Sequence, residues 1–333
     1  MPAKIILTPF FRLAGWGRRV IVPRSMRIVA IINPISGASK AAGGLRALFG
    51  RLRAAMFRVE QRATTGPGSA TALARQAVAE GADAVLAVGG DGTVCEVADG
   101  LVGSAVPLAV WPSGTENLVA KSLGFRAEPA HTAECLAHGK RVRLDTGRCN
   151  GRTFLVVAGV GFDAEVVYRL TRMRMGHITH LTYFWPLWRT FWEHRWPVLR
   201  VTAETASGRW AWHGRGMIFV GNMARYSLGL PVVRDARPDD GLLDLCIMEC
   251  AGVTRLVGHA LRTVLARHVE HPAVRYTRVT QVRVESAAAV PVEIDGDYAG
   301  GLPVEVSIQP ASLWVLVPGG GAAAGYDRPS GGA

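Results

Sequence analysis

The sequence predicts an α/β plus all-β molecule, a parallel α/β domain followed by an antiparallel β-sandwich domain, and three observations carry that prediction. Residues 26–123 repeat one unit, an apolar strand, a glycine-containing loop and a helix, the pattern of a parallel sheet with helices on its faces. From about residue 141 the chain turns into a series of strand-like runs with few helices between them, as in antiparallel sheets. With 333 residues, 49% hydrophobic and 19% charged, the chain is long and apolar enough for two domains or one large one.

The elements follow in order. Met26–Ile32 is an apolar, β-branched run ending at the turn Asn33-Pro34-Ile35-Ser36-Gly37. Lys40–Ala55 spaces Leu45, Leu48, Phe49 and Leu52 as one helix face does. Phe57–Ala63 alternates as a strand, Ser69–Glu80 is an alanine-rich helix, and Ala84–Val88 is a short buried strand running into Gly89-Gly90-Asp91-Gly92-Thr93. A helix then reaches Leu101. Leu108–Trp111 is the next strand, followed by Pro112-Ser113-Gly114-Thr115 and a helix over Glu116–Leu123. In the second half, strands are expected at Arg141–Asp145, Thr153–Ala158, Val198–Glu204, Trp210–Val220, Leu243–Met248, Thr280–Glu285, Val290–Ile294 and Val304–Pro310, with helices around Ala164–Met175 and Val253–His268. The domains expected are a basic extension (1–25), the α/β domain (26–140), to which a strand near 311–318 returns, the sandwich (141–310) and a disordered Gly/Ala-rich tail (319–333).

The excess of 38 Lys+Arg over 26 Asp+Glu gives a net charge of +12, which attracts polyanions. No aromatic-basic motif that would read bases accompanies it, so nucleic acid is not expected as a partner. No apolar run reaches the roughly 18 residues of a membrane-spanning helix. The basic stretch Met1–Pro23, broken by Pro9, fits a cleaved signal poorly; it suits contact with anionic lipid, and equally a disordered leader or a misassigned start codon. Trp185, Trp188, Trp192 and Trp196 fall near helical spacing, with Pro186 limiting the regularity; such residues serve a lipid–water boundary or a core equally well. Cys95, Cys135, Cys149, Cys246 and Cys250, without regular spacing, suit reduced thiols in a cytoplasmic protein. The pairs His177/His180 and His268/His271 are expected as solvated helix residues rather than metal ligands.

The chemistry concentrates in loops. Gly89-Gly90-Asp91-Gly92-Thr93 combines glycines that let a phosphate approach the backbone with the N-terminus of the following helix, and Asp91 adds a carboxylate for a cation. The turns at Asn33–Gly37 and Pro112–Asn117 are ordinary alone. Together the three stand at the carboxyl ends of strands of one sheet, where open α/β sheets bind ligands. No G-x-x-x-x-G-K-[ST], G-x-S-x-G or H-E-x-x-H occurs, which removes the P-loop, serine-hydrolase and zincin classes. Gly159-Val160-Gly161-Phe162-Asp163-Ala164 matches a dinucleotide fingerprint but lacks the acid expected about 20 residues on. Glu293-Ile294-Asp295-Gly296-Asp297 sets three carboxylates at alternate positions; on an extended strand they share one face and crowd, which suits a general base. A charged turn is the other reading of that segment.

The ordered set NPISG, GGDGTVCEV, PSGTENLVA, GVGFDAEVV, GNMARYS…DDGLLDL and EIDGD, spanning about Arg27 to Val317, resembles the diacylglycerol kinase catalytic-domain superfamily. Within it the chain is similar to the bacterial soluble lipid kinases, relatives of sphingosine and ceramide kinases and, more distantly, of NAD kinases. The resemblance implies an NAD-kinase-like α/β nucleotide-binding domain, a β-sandwich lipid-substrate domain, and ATP with Mg2+ in the cleft between them. Asn33, Pro34, Ser36, Gly37, Thr64, Gly89, Gly90, Asp91, Gly92, Thr93, Gly114, Thr115 and Asn117 would line the nucleotide, with Asp91 near Mg·ATP or acting on the acceptor hydroxyl. Asp240, with the carbonyls of Arg237 and Leu242, matches a structural magnesium site, and Asp295 or Asp297 would accept the acceptor's proton. The chain departs from the family at Cys95, usually Asn, and at Asp297, usually Glu.

The implied activity is an ATP-dependent lipid kinase that transfers the γ-phosphoryl to the hydroxyl of a lipid such as diacylglycerol or a sphingoid base. It would sit in the cytoplasm, peripherally on an anionic membrane surface, with a homodimer left open. The alternatives are an NAD kinase-like enzyme and a nucleotide-binding regulatory protein without catalysis. Motifs GVGFDAEVV and DDGLLDL favour the lipid branch.

Overall fold

In the computed structural model, which describes residues 26–173 and 180–319, strand and helix alternate through the first half. The basic extension, His177 and the tail beyond Gly319 lie outside the described residues. β1 (Arg27–Ile32) leads to α1 (Ala38–Ala54), β2 (Arg58–Ala63) to α2 (Ser69–Ala79), β3 (Ala84–Gly89) to α3 (Asp91–Leu101) and β4 (Leu108–Pro112) to α4 (Leu118–Leu123). The strands lie parallel in the order β4-β3-β1-β2. Central strands covered on both faces read as unbroken apolar runs, as AVLAVG of β3 does, every residue buried. Edge strand β2 is instead polar, and its Glu60 and Arg62 join Arg27 and Glu80 in a surface ion-pair network. α5 (Pro129–His138), which packs on α1, was not expected, because its segment PAHTAECLAH offers only Cys135 and Leu136 as large buried apolar groups.

The second half runs β5 (Lys140–Cys149), β6 (Arg152–Phe154), β7 (Val157–Val160), α6 (Phe162–Met173), α7 (His180–Glu193), β8 (Val198–Thr205) and β9 (Gly208–Gly221). It continues with β10 (Leu243–Glu249), α8 (Val253–Val264), β11 (Val274–Val279), β12 (Gln281–Glu285), β13 (Pro291–Ile294), β14 (Asp297–Gly301) and β15 (Val304–Val317). β9 serves two sheets. Its first part pairs with β8 and alternates in exposure, while Met217–Gly221, wholly buried, lies between β7 and β10. The core between the two faces is branched aliphatic, with Leu199, Val201, Ile218, Leu245, Val282 and Val292 among its members.

β15 joins the halves. It pairs antiparallel with β12 and along β5, then lies parallel to β4 through Val315 and Leu108. One path of strands therefore runs from the sandwich into the parallel sheet. Between the two parts of β15 the register slips, Ala311 adopts φ 47°, and its N–H donates to Asp145 Oδ1 at 2.6 Å.

Four expectations are corrected or extended. The helix α7 continues through Pro186; packing on α6, with Arg169 bridging to Glu193 at 2.6 Å, holds it. Trp196 stacks on Phe162 in the core (6.0 Å), whereas Trp188 and Trp192 are exposed. His268 is buried, with Nε2 against the Val232 carbonyl at 2.8 Å, so it is no solvated helix residue. Glu293–Asp297 is not extended: Asp295 and Gly296 form the two-residue turn of the β13–β14 hairpin, both with positive φ, the conformation Asp-Gly favours.

Candidate active site

Loops Asn33–Gly37, Gly90–Thr93 and Ser113–Asn117 follow adjacent parallel strands and are tied to one another. Asn33 Nδ2 donates to Thr93 Oγ1 at 3.0 Å, and Ser36 Oγ lies 3.3 Å from Ser113 Oγ. Asn117 closes its own loop, its Oδ1 accepting from Gly114 N–H at 2.9 Å and its Nδ2 donating to the Gly114 carbonyl at 2.8 Å. Glycine is required where the loops touch: a Cβ on Gly114 would stand 2.5 Å from Gly90 Cα, and one on Gly37 (φ 75°) 2.6 Å from the Ser113 carbonyl oxygen. Backbone therefore lies against backbone, as a loop that meets a phosphate through its N–H groups requires. Pro34 and Thr115 form the exposed lip, and Thr64, its N–H on the Ile32 carbonyl at 2.9 Å, ends the neighbouring strand β2.

Asp91 is the first residue of α3, and its Oδ1 accepts from Val119 N–H at 3.1 Å, at the start of α4. Burial pushes its carboxyl pKa up, and the N–H groups of Asn117, Leu118 and Val119 pull it back. Asp91 thus joins the second loop to the third.

The β13–β14 hairpin folds over α3, and its three carboxylates go to three places. Asp295 points inward. Its Oδ1 accepts from Val156 and Val157 N–H (2.9 and 2.8 Å), and its Oδ2 from Leu155 N–H (2.8 Å) and the Cys95 thiol (2.5 Å). Burial nevertheless raises its pKa, and burial with the Asp295 charge drives the Cys95 thiol well up, so that thiol is a donor and not a nucleophile. Asp297 faces the glycine loop: its Oδ2 stands 3.0 Å from where a Cβ on Gly92 would lie. Glu293 is fully buried beside Asp163 and Tyr226. The Tyr226 hydroxyl donates to Asp163 Oδ2 at 2.9 Å, Glu293 Oε2 accepts from Gly296 N–H at 2.8 Å, and Glu293 Oε1 has no partner. Burial raises Asp163 to about 6 and, with the Asp163 charge, lifts Glu293 well above the usual carboxylate range.

A third group lies apart from the loops. Asp240 Oδ1 accepts from Leu242 N–H at 3.0 Å, while Oδ2 is buried without a partner. Its loop is held by buried Asp145, whose Oδ2 accepts from Gly241 N–H at 2.6 Å and whose N–H donates to the Pro238 carbonyl at 2.6 Å. Arg237 turns its guanidinium to Asp239 (3.2 and 3.3 Å), leaving its carbonyl as the group a cation would use. An orphaned buried carboxylate oxygen suits a hard cation, so these residues fit magnesium.

Gly159 and Gly161, which mimic a dinucleotide fingerprint, belong to the sandwich. A Cβ on Gly159 would overlap Glu293 Oε1, so that glycine makes room for a buried acid rather than a phosphate. Sequence reasoning missed Asp145, Asn222 and Tyr226, the polar groups that hold these loops, because each acts through partners distant along the chain.

Comparison with known proteins agrees with this architecture. Residues 27–149 match the family model described as diacylglycerol kinase catalytic domain, and 156–317 match the YegS C-terminal NAD kinase beta sandwich-like domain. A diacylglycerol kinase of Mycobacterium tuberculosis is 32% identical over 298 residues, covering 88% of this chain and 95% of the relative. The chain belongs to the diacylglycerol kinase family. It is, accordingly, an enzyme of the lipid-kinase class. A diacylglycerol kinase of Bacillus subtilis is 28% identical over 280 residues, 83% of this chain and 91% of its own. Among solved structures, a putative diacylglycerol kinase of Bacillus anthracis superposes with a TM-score of 0.69 at 22% identity, over 89% of this chain and 98% of that one, which speaks for the fold. No helix among the described residues is long and apolar enough to cross a membrane.

Proposed function

We propose that the chain transfers the γ-phosphoryl of ATP to the hydroxyl of a lipid alcohol such as diacylglycerol or a sphingoid base, with Asp297 as the proton acceptor. One observation carries the assignment: among the acids of the last motif, Asp297 faces the glycine loop, while Asp295 is spent on three backbone N–H groups and a thiol. The linked loops bind and orient the triphosphate through backbone N–H groups. The acceptor hydroxyl attacks the γ-phosphorus as its proton passes to an Asp297 oxygen, the bond to the β-phosphate oxygen breaks, and ADP leaves. Positioning and charge stabilisation carry such a transfer. Magnesium held by Asp240 and the carbonyls of Arg237 and Leu242 would fix their own loop, while magnesium brought with the nucleotide near Asp91 would supply positive charge toward the phosphates. Asp91 keeps loops two and three together. A lipid acceptor calls for work at a membrane surface, and the net charge of +12 suits an anionic one.

The test is label transfer from γ-labelled ATP to a panel of lipid alcohols and to NAD. Label on a lipid alcohol, and none on NAD, is expected. Label on NAD would overturn the reading in favour of an NAD kinase, and nucleotide binding without transfer to any acceptor would leave a regulatory binder.

A further inference from the structure

Helix α8 turns apolar residues to solvent. Val257, Leu261, Val264 and Leu265, at i, i+4, i+7 and i+8, are 42%, 63%, 64% and 66% exposed, whereas Leu256, His259 and Thr263 face the protein. Spacing of this kind puts the four on one stripe, opposite the face that packs, so the stripe contributes nothing to the core. A contiguous exposed apolar patch marks a contact surface.

Beside the stripe lies a cavity of about 360 Å3 lined by Arg255, His259, Arg262 and His271. Arg262 Nη1 bonds only the helix carbonyl of Gly258 (3.0 Å), and Arg255 has no carboxylate partner among the described residues. His259 is 2% exposed; its Nε2 is taken by the Glu249 carbonyl at 3.0 Å, and its Nδ1 is left without a partner. Residues 253–269 contain Arg255, Arg262 and Arg267 and no Asp or Glu.

We propose that α8 docks the chain on an anionic phospholipid bilayer, the stripe entering the acyl boundary and the Arg255–Arg262 cavity receiving a headgroup phosphate. An apolar stripe edged by arginines is the pattern of an interfacial helix. The charge also argues against a second copy as the occupant. A two-fold contact would set the acid-free α8 of one chain, with its two arginines and Arg267 just beyond them, against the same segment of the other, and like charges would oppose it. A neighbouring element extends the face. Arg215 of β9 accepts from Cys250 N–H at 2.8 Å and donates to the Trp196 carbonyl at 3.1 Å, fixing the start of α8 near the end of α7, whose Leu187, Trp188 and Trp192 are also exposed.

The inference rests on the proposed lipid acceptor only for its purpose; docking itself needs no turnover. The experiment uses the full chain in co-sedimentation with vesicles of phosphatidylcholine alone and of phosphatidylcholine mixed with phosphatidylglycerol. Wild type should sediment with the mixed vesicles. Leu261→Ser/Leu265→Ser should weaken that binding roughly tenfold or more, and Arg255→Gln/Arg262→Gln should remove the preference for the anionic mixture. Neither pair should alter phosphoryl transfer to a short-chain, monomeric lipid alcohol, and both should melt as wild type does. Unchanged sedimentation of both variants overturns the proposal. So does a wild-type dimer in sedimentation velocity that the leucine variant splits, since a second copy would then cover the stripe. Protection of Arg255 and Arg262 effects by inorganic phosphate without vesicle binding would mark a free-phosphate site and overturn it as well. Retained docking with transfer absent in wild type would sink the lipid-kinase chemistry and leave the docking surface standing.

Discussion

Exchanging Asp295 and Asp297 separately for asparagine should produce two different lesions. Asp295→Asn keeps one acceptor oxygen where two were used. Whichever way the amide turns, its NH2 faces donors, either Val156 and Val157 N–H or Leu155 N–H and the Cys95 thiol. Leaving a buried donor unmatched costs about 1–3 kcal/mol, more beside a lost charge, so a loss of roughly 2–5 kcal/mol is expected. At about 2–4 °C per kcal/mol for a domain of this size, the melting midpoint should fall by roughly 5–15 °C. Asp297→Asn, at the lip of the Gly92 loop, should leave the midpoint unchanged and lower kcat by about 10²–10⁴, the usual share of general-base catalysis, with ATP affinity preserved. The assays are a thermal melt, single-turnover transfer and nucleotide titration. If Asp297→Asn keeps its turnover while Asp295→Asn loses it without losing stability, the assignment of roles from this geometry is wrong.

Three further outcomes are expected. Gly114→Ala should push Gly90 and Gly114 apart and raise the Kd for ATP about tenfold or more, measured by titration; unchanged affinity would mean that the third loop does not contact the nucleotide. Asp240→Ala should shift the magnesium dependence of turnover to higher concentration while leaving the Kd for nucleotide in excess magnesium close to wild type, and an unshifted magnesium curve would contradict the assignment of its orphaned oxygen. Glu293→Gln should change the pH dependence of stability. The folded pKa of Asp163 is raised from 3.8 to about 6, and that of Glu293 is raised as well, so their contribution is intact below about pH 4 and lost as pH rises through the raised values. Melts between these limits should show a flatter profile in the variant, and an identical slope would refute the buried acid pair.

The parallel half was legible because its signals are local: an apolar strand such as AVLAVG and a glycine turn need no distant partner to be read. The glycine loops were legible for the same reason. The hairpin was misread because alternation of acids in Glu293–Asp297 is the same pattern on a strand or across a turn, and the choice is made by Asp-Gly adopting positive φ at both positions. The division of labour between the acids could not be read at all. It depends on Asp295 meeting N–H groups about 140 residues earlier and a thiol 200 residues away. α5 and β11 were missed because tertiary burial, not periodicity, secures them.

Electrostatics explains why the separate cation loop belongs to the same machine. The three nucleotide loops contain no Lys or Arg, yet they carry Asp91 and Glu116, and Asp297 faces them. A polyanionic substrate among carboxylates needs positive charge beyond what backbone dipoles give, which is the part proposed above for magnesium. The loop of Asp240 is coupled to the nucleotide loops by continuous hydrogen bonds: Gly241 N–H to Asp145, the Asp145 carbonyl to Asn222 Nδ2, and the same Nδ2 to the Leu155 carbonyl. From there Leu155 N–H reaches Asp295, and Asp295 reaches Cys95 on α3, the helix that begins at Asp91. Each link is buried or half-buried, where hydrogen bonds hold geometry tightly. The unpartnered Asp240 Oδ2 stands at one end of this series of bonds, and the helix start proposed to receive the phosphates stands at the other.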